Sequence, residues 1–378
     1  MLNNAWQGYH TCLFAYGQTG SGKSYSIVGY GPNKGIIPMA CEEIFTRIEE
    51  KRKNGDGSIT YQVEVAMLEI YNECVQDLFV KPAQRIKGGL NVREKPGGEV
   101  YVENLSSVPV NSYNEISRQI DVGTSNRTLG ATNMNATSSR AHTILTIQFK
   151  QTFYDKDTGQ PLNRKVSNIN LVDLAGSERA GSTGAEGQRL KEGANINKSL
   201  SVLGKVIQTL AEKSGGKGKN IMVPYRESKL TRILQTNLGG NSKTAMIAAL
   251  SPASVNYEET LSTLRYANQV KNIKNEAKVN ESPQDKLIRE LREENQRLKD
   301  MIEKGTLPSM QQGPPAEAEW EGKTHIMNLN QDPYLSGNIR HNVKGGHTVG
   351  NKGNPDIEIR GLGIARDHCR FEGSTGSF

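Results

Sequence analysis

The sequence predicts a layered α/β domain over residues 1–272, followed by a short helical segment and a small β unit. Three observations carry this. Strand-like and helix-like runs alternate from the N-terminus to residue 272, the pattern of a sheet flanked by helices. An eight-residue run, Gly17-Gln18-Thr19-Gly20-Ser21-Gly22-Lys23-Ser24, fits the phosphate-cradling pattern G-x-x-x-x-G-K-[ST]. Beyond residue 283 the composition changes to a charged heptad repeat and then to Gly-, Asn- and Pro-punctuated strands.

The elements follow in order. Thr11–Tyr16 reads as a buried strand leading into the loop, and the run after Gly22 opens a helix. Strands are expected at residues 61–71, 141–149, 166–174 and 244–250. Helices are expected at 39–53, 113–124, 194–212, 228–238 and 257–272. The loop glycines let backbone N–H groups turn toward phosphate oxygens. Lys23 is placed to reach the β- and γ-phosphates, and the Ser24 hydroxyl to ligate Mg²⁺. Strand, loop and helix in sequence make a chance glycine turn a poor explanation, so the chain is expected to handle a nucleoside triphosphate.

Bulk properties narrow the class. The chain of 378 residues is 35% hydrophobic and 23% charged, with no apolar run of membrane-spanning length and no visible secretory signal at Met1-Leu2-Asn3-Asn4. Cys12, Cys41, Cys74 and Cys369 are far apart, which argues for a reducing compartment and against zinc or a disulfide framework. The net charge of +7 favours an anionic partner. Its densest stretch runs from Lys213 to Arg232, where Lys213, Lys217, Lys219, Arg226, Lys229 and Arg232 face one acid, Glu227. By itself such a run is better explained by a solvated loop and helix face.

Residues 284–304 place Ile288, Leu291, Asn295, Leu298 and Ile302 at 3-4-3-4 spacing, a heptad seam with Asn295 at an a position. Three heptads suit a weak, concentration-dependent dimer, or a lone amphipathic helix. Residues 305–323 read as a linker around Gly313-Pro314-Pro315, and 324–378 as a partial β domain with a marginal core.

Two further motifs complete a switch. One is Asn135-Ala136-Thr137-Ser138-Ser139-Arg140-Ala141-His142. The other is Asp173-Leu174-Ala175-Gly176-Ser177-Glu178, closing an apolar strand. Asp173 suits a carboxylate acting on Mg²⁺ through water, and the Gly176 N–H can meet a γ-phosphate. Arg140 and Glu178 could pair only when both loops close, an order–disorder switch.

With FAYGQTGSGKS, NATSSRAH, NINLVDLAGSERAGSTGAEG, NINKSLSVLGKVIQTL and VPYRESKLTRIL in order, residues 1 to about 282 resemble the kinesin motor family. The neck run NEAKVNESPQDKLIRELREENQRLKDMI is similar to the kinesin-3 subfamily, and residues 320–371 to its forkhead-associated domain. The resemblance implies a three-layer P-loop NTPase motor fold with a mixed central sheet (1–272), a neck linker (273–283), a coiled-coil neck (284–304) and a partial β-sandwich. It implies a microtubule-stimulated ATPase with ATP and Mg²⁺, working in plus-end-directed transport of vesicles or organelles in the cytoplasm.

Residue by residue, the same likeness assigns Gly17 to Ser24 to the phosphates and Tyr25 to adenine stacking. It gives Ser138 and Ser139 the γ-phosphate, Mg²⁺ and attacking water, and makes Arg140 and Glu178 the latch, with Glu178 accepting the proton through waters. Gly176 becomes the γ-phosphate sensor, and Asn195 begins a relay helix. The basic run then meets acidic tubulin, and residues 273–282 dock along the core. Nucleic acid is not an expected partner, and the cargo membrane would bind elsewhere.

The chain also departs from the family pattern. Family motors carry further N-terminal strands and an Arg-x-Arg-Pro run against adenine, so the chain as written is expected to leave an unpaired sheet edge and to be unstable or weakly active. Ala141 stands where serine is common, which implies tuning. KSGGKGKN is less lysine-rich than many kinesin-3 loops. Gly350-Asn351 and Ala365-Arg366-Asp367-His368 lack the Arg and Ser of a phosphothreonine reader, which points to a structural or protein-docking module. A non-motile microtubule-binding or regulatory protein is the alternative. A signalling GTPase is disfavoured because no Asn-Lys-x-Asp run occurs.

Overall fold

The computed structural model describes residues 1–134, 138–178, 188–216 and 221–281 apart from positions 56 and 157. Beyond these it describes single positions from 287 to 300 and short stretches between 325 and 372. The chain divides into two compact units, Met1–Glu290 and Leu291–Phe378.

The first unit runs α1 (Leu2–Trp6), β1 (Thr11–Tyr16), α2 (Lys23–Ile27), β2 (Gly29–Tyr30), β3 (Asn33–Lys34), α3 (Ile36–Asn54), β4 (Ile59–Tyr71), β5 (Cys74–Asp77), β6 (Val92–Glu94), β7 (Val100–Val102) and β8 (Val108–Val110). It continues with α4 (Tyr113–Met134), β9 (His142–Tyr154), β10 (Pro161–Asp173), α5 (Gln188–Ser214), α6 (Lys229–Ile233), β11 (Lys243–Ala248) and α7 (Tyr257–Lys271). The central sheet is mixed, in the order β11-β1-β10-β9-β4-β5, with β8 also on β4. Strand β1 lies parallel to β10 and β11, whereas β10–β9, β9–β4, β4–β5 and β4–β8 are antiparallel.

Period-2 alternation sends side chains to both faces, as expected for a sheet buried on each side. Val63, Val65 and Met67 of β4, Leu145, Ile147 and Phe149 of β9, and Ile169 and Leu171 of β10 pack against α2, α3 and α4. Leu68, Ile70, Ile144, Val172, Cys12 and Phe14 face α5, α6 and α7. Helix α3 shows why these segments become helical. Ile37, Ala40, Cys41, Ile44, Phe45 and Ile48 form one buried stripe, Pro38 sits in the first turn, and Lys51, Arg52 and Lys53 close the last.

The parallel strands β1, β10 and β11 all end on the same edge of the sheet. There their following loops gather, where α/β sheets bind ligands. β11 is the terminal strand of the sheet order.

Among the departures from the sequence reading, three show their cause or extent plainly. β9 and β10 each run 13 residues, because their polar ends, Lys150–Tyr154 and Pro161–Lys165, pair with each other beyond the apolar run. The helix expected at 228–238 ends at Ile233; turns follow, and Gly239 takes a φ of +75°. α4 continues past the expected end at residue 124 to Met134, where the sequence lacks the apolar spacing that marks its first turns.

After α7 the chain lies extended on the core. Asn280 N–H donates to the Gly8 carbonyl (2.8 Å), Val166 N–H to Asn280 (2.9 Å) and Glu276 N–H to Gly240 (3.0 Å). Asn275 Nδ2 donates to the carbonyls of Asn237 (3.0 Å) and Ser242 (2.7 Å), and its Oδ1 accepts from Gly239 N–H (2.8 Å).

In the second unit, Leu291, Asn295 and several neighbours are helical, while Ile288, Leu298, Ile302 and the linker 305–323 lie outside the described residues. β12 (His325–Met327) pairs with β13 (Arg340–Asn342). β14 (Thr348–Gly350) pairs with β15 (Ile357–Glu358) and β16 (Cys369–Arg370) around Val343, Val349 and Ile357. Asn351 and residues 365–368 lie outside the described residues.

Candidate active site

The loop from Gly17 to Ser24 bridges β1 and α2, as the spacing predicts. Gly17 has a φ of +151°, and a Cβ there would run into the Ala249 carbonyl beyond β11, so only glycine fits. Ser21 Oγ donates to the Gln18 carbonyl (2.8 Å), closing the turn that carries Gly20 and Gly22. Lys23 is 7% exposed. Its ammonium donates to the carbonyls of Gly17 and Gln18, both at 2.8 Å. Burial lowers its pKa, while the charges of Asp173 and Glu178 oppose that shift.

Ser24 Oγ donates to Asp173 Oδ2 at 2.5 Å. Asp173 is buried, and its Oδ1 has no hydrogen-bond partner among the described residues. Burial raises the Asp173 pKa, against the Ser24 hydrogen bond and the charges of Lys23 and Arg127. A hydroxyl beside a buried carboxylate with an unpartnered oxygen is a hard-oxygen donor set that would suit Mg²⁺.

Three successive N–H groups after β10 reach three different elements. Ala175 N–H donates to His142 Nδ1 (3.0 Å), Gly176 N–H to the Ser139 carbonyl (2.9 Å) and Ser177 N–H to the Gly17 carbonyl (3.1 Å). Glu178 then folds onto the phosphate loop. Thr19 N–H donates to its Oε2 (2.8 Å) and Thr19 Oγ1 to its Oε1 (2.5 Å). A Cβ at Gly176 would meet the Glu178 carboxylate and the Thr19 hydroxyl, so a larger residue here requires both side chains to move off each other.

Of the sequence-predicted site residues, Gly17, Gln18, Thr19, Lys23, Ser24, Asp173 and Glu178 lie together, and Gly176 meets Ser139. Ser138, Ser139 and Arg140 form one 3₁₀ turn ahead of β9, with Ser139 and Arg140 half-buried. Glu178, expected to meet Arg140, has its oxygens on Thr19. Tyr25 is 50% exposed, with its ring 6.2 Å from that of Tyr30. Asn195 lies within α5. His142 was read only as part of a motif, yet it is 2% exposed and joins two segments of the site. No local spacing could signal its partners, which lie 33 and 57 residues away.

The basic run is less uniform than its sequence. Lys213 is exposed at the end of α5, and Lys217 and Lys219 lie outside the described residues. Arg226 and Arg232 both turn to Glu94, at 3.0 and 3.9 Å. The Lys229 N–H donates to Glu73 (2.8 Å). Glu94 sits on the β6–β7 hairpin, 132 residues from Arg226, which composition could not reveal.

A three-layer mixed sheet with this loop and two flanking switch segments defines a P-loop nucleotide-handling protein. Residues 1–273 match the kinesin motor domain, and the chain belongs to the kinesin motor family. It is 47% identical to kinesin-related protein 1 of Dictyostelium discoideum over 433 aligned positions, covering 100% of this chain and 20% of that protein. It is 55% identical to human kinesin-like protein KIF1B, a kinesin-3 member, over 310 positions, 80% of this chain and 17% of that one. A solved KIF14 dimer in its two-heads-bound state, with AMP-PNP and in complex with a microtubule, superposes with a TM-score of 0.69 at 50% identity. That match covers 77% of this chain and 79% of the other. The chain spans about a fifth of the length of the curated relatives it matches.

Proposed function

We propose that this chain is the force-producing end of a longer plus-end-directed microtubule motor, hydrolysing ATP to carry vesicles or organelles along cytoplasmic microtubules. The observation that carries the proposal is the seating of residues 177–178 on the phosphate loop, through Ser177 on Gly17 and Glu178 on Thr19. A segment so placed must move when phosphates enter, and α5 begins further along the chain at Gln188.

In this reading Lys23 exchanges its two carbonyls for β- and γ-phosphate oxygens. Ser24, Ser139 and, through water, Asp173 would hold Mg²⁺, which would supply neutralisation of the phosphate charge. Gly176 N–H leaves Ser139 for the γ-phosphate. Glu178 leaves Thr19, meets Arg140 and accepts the proton of the attacking water through a water chain. Ser138 positions that water, and Tyr25 stacks on adenine. Segment 273–282 docks and undocks as α5 shifts, coupling the cycle to displacement. Lys213, Lys217, Lys219, Arg226, Lys229 and Arg232 face tubulin. The neck forms a weak homodimer, and the β unit docks protein partners.

Steady-state ATP turnover with and without microtubules tests this. Microtubules should accelerate turnover at least about tenfold, and Lys23→Ala should abolish it. Turnover indifferent to microtubules would overturn the proposal.

A further inference from the structure

We propose that His142 and Ser199 form a positioning bridge that carries the state of the nucleotide loop into α5. The inference deepens the functional proposal and rests on its reading of the Gly17–Ser24 loop as the nucleotide site.

The geometry assigns each atom a role. Ala175 N–H can only donate, so His142 Nδ1, at 3.0 Å, is the unprotonated nitrogen. The ring proton therefore sits on Nε2, which donates to Ser199 Oγ at 2.7 Å. The imidazole is a rigid rod with its two ends fixed on different elements. One end holds the peptide immediately before Gly176, whose own N–H rests on Ser139. The other holds α5 at a buried residue, Ser199, only 3% exposed.

Around it α5 is packed by Leu200, Val202, Leu203, Val206 and Ile207, which are apolar and carry no direction. Within that apolar seam a directional bond sets the axial position of the helix in a way greasy contacts cannot. The successive amides of Ala175, Gly176 and Ser177 serve His142, Ser139 and Gly17. A rotation of this short segment cannot satisfy a new acceptor at Gly176 without pulling on the imidazole. The ring passes that displacement to α5 in one step, about 57 residues away in sequence but one ring-width in space.

A merely structural histidine would give a different result, so the two are separable. The readout is amide hydrogen exchange of α5 over residues 198–210, measured on the full chain with ADP and with a non-hydrolysable ATP analogue. Wild type should show exchange rates that differ between the two nucleotides. Ser199→Ala, which deletes one oxygen, should shrink that difference at least about threefold, the size of one buried hydrogen bond. His142→Asn keeps an acceptor near Ala175 but cannot reach Ser199, and should give the same loss. The double variant should be no worse than either single. His142→Gln, whose side chain reaches Ser199 without accepting from Ala175, separates the two halves and should also uncouple.

An α5 response unchanged in Ser199→Ala overturns the bridge. So does a wild-type α5 indifferent to nucleotide, or a loss in thermal stability that leaves the nucleotide difference intact. Microtubule pelleting judges the motor reading separately. A chain whose α5 answers nucleotide through Ser199 but never pellets with microtubules keeps the bridge and loses the motor.

Discussion

Asn275 clamps the segment that follows α7, and replacing it with alanine should free that segment. Its Nδ2 group serves the carbonyls of Asn237 and Ser242 and lies 3.1 Å from Thr244 Oγ1, while its Oδ1 takes the Gly239 N–H. Two amide hydrogens and one acceptor amount to three bonds, each contributing a net 0.5–1.5 kcal/mol or so. The site is half-buried, so water replaces part of the loss. About 2 kcal/mol is the working figure. That raises the undocked population about thirtyfold. The assay is amide exchange at Glu276, Lys278 and Asn280, whose N–H groups bond to Gly240 O, Asn241 Oδ1 and Gly8 O. Exchange at those three should quicken about thirtyfold, with the amides of β9 and β10 unchanged. Unaltered exchange, or acceleration spread evenly through the sheet, would refute the reasoning.

Other expectations follow from the same contacts. Gly176→Ala pushes a methyl into Thr19 and Glu178, so hydrolysis should fall about a hundredfold while ATP affinity, measured by fluorescent-nucleotide titration, changes far less. Tyr266 is buried beside Tyr16, with rings 4.0 Å apart, and its hydroxyl has no hydrogen-bond partner among the described residues. Tyr266→Phe should therefore leave stability in urea unchanged or raise it by about 1 kcal/mol, and a loss of that size would mean a missed partner. The Lys150 hydrogen bond holds the Glu64 carboxyl below its ordinary 4.5, so this pair stabilises above that pH and ceases to do so as pH falls through the lowered value. Lys150→Met should lower the melting temperature at neutral pH, and the gap to wild type should close in acid.

How much was legible depends on the reach of each interaction. The phosphate loop occupies eight consecutive residues, and its spacing alone encodes its geometry. β1 emerged at its predicted bounds because Thr11–Tyr16 is short, apolar and buried. β5, β8 and the β6–β7 hairpin escaped notice, since strands of three or four residues show too little alternation. The seat of Glu178 on Thr19, 159 residues apart, was hidden for a different reason. Motif reading names the residues of a site, whereas their partners in one conformation depend on how distant loops close. Glu94 and the two arginines it draws in belong to the same class, as does His142.

The central claim is that the nucleotide decides how tightly this chain holds a filament. Co-sedimentation with microtubules, titrated separately with ADP and with a non-hydrolysable ATP analogue, tests it most directly. The account predicts binding at least about tenfold tighter with the analogue, a differential of roughly 1.4 kcal/mol between two conformations. Equal affinity in both nucleotides would contradict it.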